Sequence, residues 1–206
     1  MRRAVTFIVL LCAVSAFGDR VADWRRDQAS IETLLQQKRY AEARKASIKL
    51  TNHMLDRMDA DDDAGKLFAR TIALRAAAED GLGNVDDTNW YRQVAKALDP
   101  QVALPAMTTP LPAPMAIVLP MEVTEKPGLR HRRDPERPGS VNGDATAVVR
   151  VVIDADGVVR QPSIVTSQLA AASYAALEAL KQWQFRPAKK DGKAVATPFD
   201  LTIAIH

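Results

Sequence analysis

Apolar positions in the first half of the chain recur at helical spacing. Trp24, Ile31, Leu34 and Leu35 mark one helix. Tyr40, Ala43, Ala46, Ile48, Leu50, Met54, Leu55 and Met58 mark a second, with a less regular face. Leu67, Phe68, Ile72, Leu74, Ala77 and Ala78 mark a third that ends near Gly81-Leu-Gly83. The fourth runs from about Asp86 through Trp90, Val94, Ala95 and Leu98, where Pro100 stops it. No proline occurs between Asp19 and Asp99, as a helical unit requires. From Asp144 onward the period changes to two. Ala147, Val149, Val151 and Ile153 alternate with Val148, Arg150, Val152 and Asp154, which predicts a strand with one apolar face. Asp156-Gly157 supplies the positive φ of a tight hairpin turn, and 158–167 is the return strand. Pro162 lacks an N–H, so that strand is irregular or at an edge there. Ser167 or a neighbour is placed to cap a following helix. Ala172, Ala176, Leu177, Leu180 and Trp183 give that helix one apolar side, and Phe185 and Pro187 end it. A turn at Asp191-Gly192 leads into a last strand in which Phe199, Leu201, Ile203 and Ile205 alternate.

Between the two patterns lie prolines 100, 105, 110, 112, 114, 120, 127, 135 and 138. Such a segment favours extended backbone and cannot form a core helix. Read as a free spacer, it reaches about 120 Å at ~3.1 Å per residue. Its island Met115-Ala-Ile-Val-Leu119 is apolar and β-prone, and either docks on a domain or is a plain cluster of linker hydrophobes. The expected fold class is α+β: a helical hairpin or bundle unit over 19–99, a Pro-rich linker over 100–139, and a β-β-α-β module over 140–206. The module is a three-stranded sheet with a helix on one face. It has at least one exposed edge, which invites β-augmentation by an extended peptide.

Composition changes the picture little. The chain has 206 residues, 47% hydrophobic and 26% charged, and a net charge of +3. Arg2 and Arg3 open a leader: a basic start, an apolar run over 4–17 and small residues at Ala16 and Gly18 suit a secretory signal cleaved after Gly18. That apolar run is shorter than the ~20 residues a membrane span needs, so an uncleaved anchor is the alternative. Without the leader the net charge falls to about +1, which gives no whole-chain case for nucleic acid. The single cysteine, Cys12, lies in the leader behind a bulky Leu11 and is read as an incidental apolar residue. The basic tract Arg130-His-Arg-Arg133 is either an attraction to acidic envelope polymers or headgroups, or a solvated linker balanced by Asp134 and Glu136.

Candidate chemistry is sparse. Asp59-Ala-Asp-Asp-Asp-Ala-Gly65 lacks the glycine and glutamate that a calcium loop needs at its sixth and twelfth places, and it reads as a solvated, capping turn. Asp154-Ala-Asp-Gly157 fails in the same way. His53, His131 and His206 have no second ligand at metal spacing, and no nucleophile elbow, phosphate loop or dinucleotide fingerprint occurs. No catalytic residue, metal site or cofactor is assigned, and a binding role is expected rather than a reaction.

Two resemblances follow. Lys38-Arg-Tyr-Ala-Glu-Ala43 and Gly83-Asn-Val-Asp-Asp87 stand at matching places in the two helix pairs and weakly resemble tetratricopeptide units. Their spacing is ~45 residues against ~34 for that repeat, with Lys38 where the repeat has Gly, and a four-helix bundle is the equal alternative. More specifically, Val149-Arg-Val-Val-Ile-Asp-Ala-Asp-Gly157, Ser167, Ala176-Leu177, Trp183-Gln-Phe-Arg-Pro-Ala188, Asp191-Gly-Lys193 and the last strand resemble the C-terminal domain of TonB-type energy transducers. The resemblance implies a periplasmic domain whose last strand, Ala196 to Ile205, pairs with a short peptide of an outer-membrane transporter or another envelope protein. A second copy pairing through the same edge is the other partner it allows. The edge would be formed by Thr197, Phe199, Asp200, Thr202 and Ala204, with Trp183, Phe185, Pro187, Leu201 and Ile203 as supporting core. Asp134-Pro135 stands where the family usually has Tyr-Pro, and the leader lacks the histidine of energised members. A periplasmic helical scaffold with the C-terminal module as an assembly unit is the competing reading.

Overall fold

The structure, a computed structural model, describes residues 20–58 and 62–206. The leader, Cys12 and residues 59–61 of the acidic tract lie outside the described residues. Helix α1 (20–36) is followed by α2 (Tyr40–Arg57), α3 (Asp62–Gly81) and α4 (Val85–Leu98). The four predicted helices are present at the predicted places. Trp24, Ile31, Met54, Phe68, Ile72, Leu74 and Val94 fill their shared core. Both α1 and α3 end in the same way. Lys38 N–H donates to Leu35 O and Arg39 N–H to Leu34 O, while Gly83 N–H donates to Asp80 O and Asn84 N–H to Glu79 O. This is the Schellman pattern, which puts the residue after the helix in left-handed backbone. Gly83 does so at φ 76° and Lys38 at φ 57°.

The C-terminal part contains β1 (Gly128–His131), β2 (Ala145–Ile153), β3 (Val159–Ser167), α5 (Ala170–Leu180), β4 (Gln184–Arg186), β5 (Ala188–Lys190), β6 (Lys193–Val195) and β7 (Thr197–Ile205). The main sheet is antiparallel in the order β3-β2-β7, with α5 on one face, so the expected three-stranded module is what forms. Gly157 turns the β2-β3 hairpin at φ 81°. Asp154 supports that turn, accepting from the N–H of Asp156 and of Val158 and from Arg160 Nε. This internal role explains the second false calcium loop. At Pro162 the strand is irregular and at an edge: Gln161 takes φ 46°, and the pairing with β2 shifts register between Arg150 and Val152.

Three expectations need correction. Ser167 does not cap α5, whose N-cap is Leu169 with no side-chain bond; the Ser167 hydroxyl donates instead to the Leu169 carbonyl. The helix ends at Leu180, and Phe185 lies in a short strand of its own, β4, paired with β1. The Pro-rich segment is not a free spacer. Arg92 Nη2 donates to Thr109 O, the Thr108 and Thr109 amides donate to Asp80, and Ser140 N–H donates to Leu55 O. Proline removes backbone donors, but the remaining amides and carbonyls find partners on both modules, so the segment is laid down along them.

The two modules share one core. α5 is buried at 171–177, 179 and 180. One side lies on the sheet; the other meets the helices, where the Phe68 and Tyr174 rings cross edge to face at 5.1 Å. Arg75 donates to the Tyr174 hydroxyl at 3.2 Å and its guanidinium lies 3.9 Å from the centre of the Tyr91 ring. α4 packs on β3, and Gln161 N–H donates to Gln93 Oε1.

Candidate docking edge

β7 pairs with β2 residue by residue from Thr197↔Ile153 to Ile205↔Ala145, with no break in register. Ala145, Ala147, Val149, Val151 and Ile153 and their partners on β7 face α5. Ile203 and Ile205 are buried there, and Leu201 and Phe199 are partly buried. Trp183 and Phe185 are buried beside them, with ring centroids 6.2 Å apart, and Phe185 lies 6.3 Å from Phe199. The Trp183 indole N–H donates to the Arg133 carbonyl at 2.7 Å, which fixes the ring and the linker together. Pro187 is half-buried between β4 and β5.

On the other face Thr146, Arg150, Asp200 and Thr202 are exposed, whereas Val152 is buried. Arg150 and Asp200 are directly opposite each other and form a two-pronged pair at 2.7 and 2.8 Å. The hydrogen bond from Arg150, with its charge, holds the Asp200 carboxyl below its usual range despite slight desolvation.

The free side of β7 is a backbone feature. The Ala196 carbonyl points away from β2, since it accepts from Val118 N–H at 2.9 Å. Backbone groups alternate sides along a strand, so the amides and carbonyls of Asp200, Thr202 and Ala204, with the carbonyl of Pro198, point to the same side. Pro198 supports this assignment, because a proline is tolerated where the missing N–H would face outward from an edge. Among the described residues no strand pairs with this side of β7 beyond Thr197.

The expected edge residues therefore divide. Asp200, Thr202 and Ala204 present their backbone groups outward. Thr197 and Phe199 do not: their backbone groups face β2, Thr197 is 1% exposed with its hydroxyl donating to Val118 O, and Phe199 turns its ring to Phe185. Sequence alternation separates two faces of a strand, but not which residues bond to which neighbour, and this division needed the pairing.

The basic tract is largely satisfied internally. Arg132 pairs with Asp134 at 2.8 Å and lies over the Trp183 ring, and Arg133 pairs with Glu136 at 3.1 Å and donates to Gln182. Among the described residues no His, Cys, Asp and Glu group could hold a metal ion, and no helix is long and apolar enough to cross a membrane.

The polar contacts between the modules were not anticipated. Glu178 on α5 is mostly buried; desolvation pushes its carboxyl up, against the opposing charges of Arg75 and Lys181. Lys181 reaches back to Asp87 and lies 4.6 Å from the centre of the Tyr91 ring. The only sequence signal was Glu178 and Lys181 following an Ala-rich run, which is ordinary for a surface helix.

No curated protein and no solved structure gives a significant match to the chain. The family match covers about a third of it and does not reach the four helices. Residues 135–204, which span β2, β3, α5 and all but the last residue of β7, match the family model described as Gram-negative bacterial TonB protein C-terminal.

Proposed function

We propose that this chain is a non-enzymatic, TonB-like protein of the cell envelope that works in transport from the periplasm by capturing a strand of a partner on β7. The partner is a short extended peptide of an outer-membrane transporter or of another envelope protein. The observation that carries the reading is the β7 edge of a domain that matches the TonB C-terminal family: outward amides and carbonyls at Asp200, Thr202 and Ala204 over a rigid, packed face. Backbone bonds there would supply affinity, and the side chains at Asp200 and Thr202 would select among partners.

The test places a photo-crosslinking residue at Asp200 in the full chain and identifies the captured envelope proteins by mass spectrometry. Thr202→Pro removes an outward amide and leaves the β2 ladder intact. Capture of a defined partner by the parent and its loss in a folded Thr202→Pro variant is the expected result. Undiminished capture by that variant would exclude strand addition.

The scaffold reading is supported by one observation: the helices cover the outer side of α5, so they are joined to the C-terminal domain rather than tethered to it. In that reading the partner binds the helices, and a crosslinking residue on α1–α4 would capture it while one at Asp200 would not.

A further inference from the structure

The edge of β7 is not free along its whole length. Ile117 forms a parallel bridge with Ala196, Val118 N–H donates to Ala196 O at 2.9 Å, and the Thr197 hydroxyl donates to Val118 O at 2.8 Å. Residues 115–119 thus run alongside the point where β7 begins. They leave it at once through a turn, in which Glu122 N–H donates to Leu119 O. Further along, the segment is anchored to β5. Thr124 N–H donates to Lys189 O, Lys189 N–H donates to Glu125 O, and Glu122 and Glu125 pair with Lys190 and Lys189.

We propose that Met115–Leu119 is an internal occupant of the docking edge, a strap that mimics the partner strand and competes with it; this rests on the reading of β7 as the docking edge. The strap has the form of a ligand for such an edge. It is an uncharged, β-prone run with the β-branched pair Ile117-Val118, flanked by Pro114 and Pro120. It is held weakly at the contact, by one backbone and one side-chain hydrogen bond. Ile117 and Leu119 stay 43% and 49% exposed, so little burial resists its release. Its anchors on β5 keep it close when it lets go, which makes rebinding an intramolecular event at high effective concentration. While bound, it ends the open ladder at Pro198. Released, it lengthens the edge through Thr197 to Ala196. The partner class that follows is an extended segment with the same chemistry: uncharged, rich in β-branched residues and bounded by prolines that keep it extended.

The experiment uses the full chain and a fluorescent peptide copying residues 113–121, titrated by anisotropy. Val118→Pro removes the strap's amide donor, and Ile117→Gly weakens the strap's bridge residue while leaving β7 unchanged. The peptide should bind Val118→Pro about five- to tenfold more tightly than the parent, the loss of one competing hydrogen bond. Ile117→Gly should shift affinity in the same direction, and it decides the matter if Val118→Pro does not fold. Equal affinity for all three proteins would overturn the competition while leaving β7 as a docking edge. Binding to none of them would overturn the strap as a partner mimic; the docking edge itself stands or falls with the Asp200 crosslink and Thr202→Pro.

Discussion

Lys38 shows how a single residue can carry a local cost. It occupies the left-handed position after α1 that Gly83 fills after α3. A side chain is disfavoured in that backbone by roughly 1 kcal/mol, so Lys38→Gly should raise stability by about 0.5–1 kcal/mol, read as a higher urea midpoint. Gly157 is the reverse case. Its φ is 81°, and an added Cβ would lie 1.9 Å from the Phe185 carbonyl oxygen, while Phe185 N–H donates to the Gly157 carbonyl. Gly157→Ala should therefore cost about 3 kcal/mol or more and be visible as a large fall in melting temperature. Glu178 gives a pH signature. Burial raises its folded pKa above the unfolded one, so the native state binds the extra proton. Its contribution to stability is full below the unfolded glutamate range and is lost as pH rises through the raised value. Glu178→Gln should stabilise the chain at neutral pH and lose that advantage in acid, as measured by denaturant titrations across pH. Asp80 acts with the opposite sign. Burial alone would raise it, but the bonds from Thr109 and Thr108 hold it down, so its contribution is present at neutral pH and is lost in acid.

At the scale of elements, α5 is the part whose environment differs most from its expected one. Its sequence predicts one apolar side, yet Ala171, Ala172, Ala175, Ala176 and Ala179 are all buried. Small side chains let the sheet and the helices approach from opposite sides. Ala176→Leu should overpack this layer and cost about 1–3 kcal/mol in chemical denaturation. β7 carries the opposite lesson. Its alternating pattern was legible as a strand with a core face, whereas its outward backbone groups became visible only through the partner of Ala196.

For the whole molecule, the consequence is mutual dependence. The side of α5 away from the sheet meets Phe68, Arg75 and Tyr91, and Lys181 bonds to Asp87. A chain reduced to residues 140–206 would expose Tyr174 and the neighbouring alanines as an apolar face. It should self-associate in sedimentation velocity at concentrations where the full chain does not. The Pro-rich segment adds to this joining, since it bonds to Asp80 and Arg92 at one end and to Ala196 and Lys189 further on.

The four helices, the β-β-α-β order, the Asp156-Gly157 turn and the residue set that resembles a TonB-type domain were legible along the chain. These are local: they follow from period, from turn chemistry and from the φ that glycine and proline permit. The sequence also marked Met115–Leu119 as an apolar island, but not where it would lie. Long-range packing settled the rest: the Pro-rich segment lies docked, α5 is covered on both sides, and Asp200, Thr202 and Ala204 rather than Thr197 and Phe199 offer their backbone outward. Each of these depends on which distant groups meet: hydrogen-bond partners are chosen between segments far apart in the chain, and a local pattern carries no record of that choice.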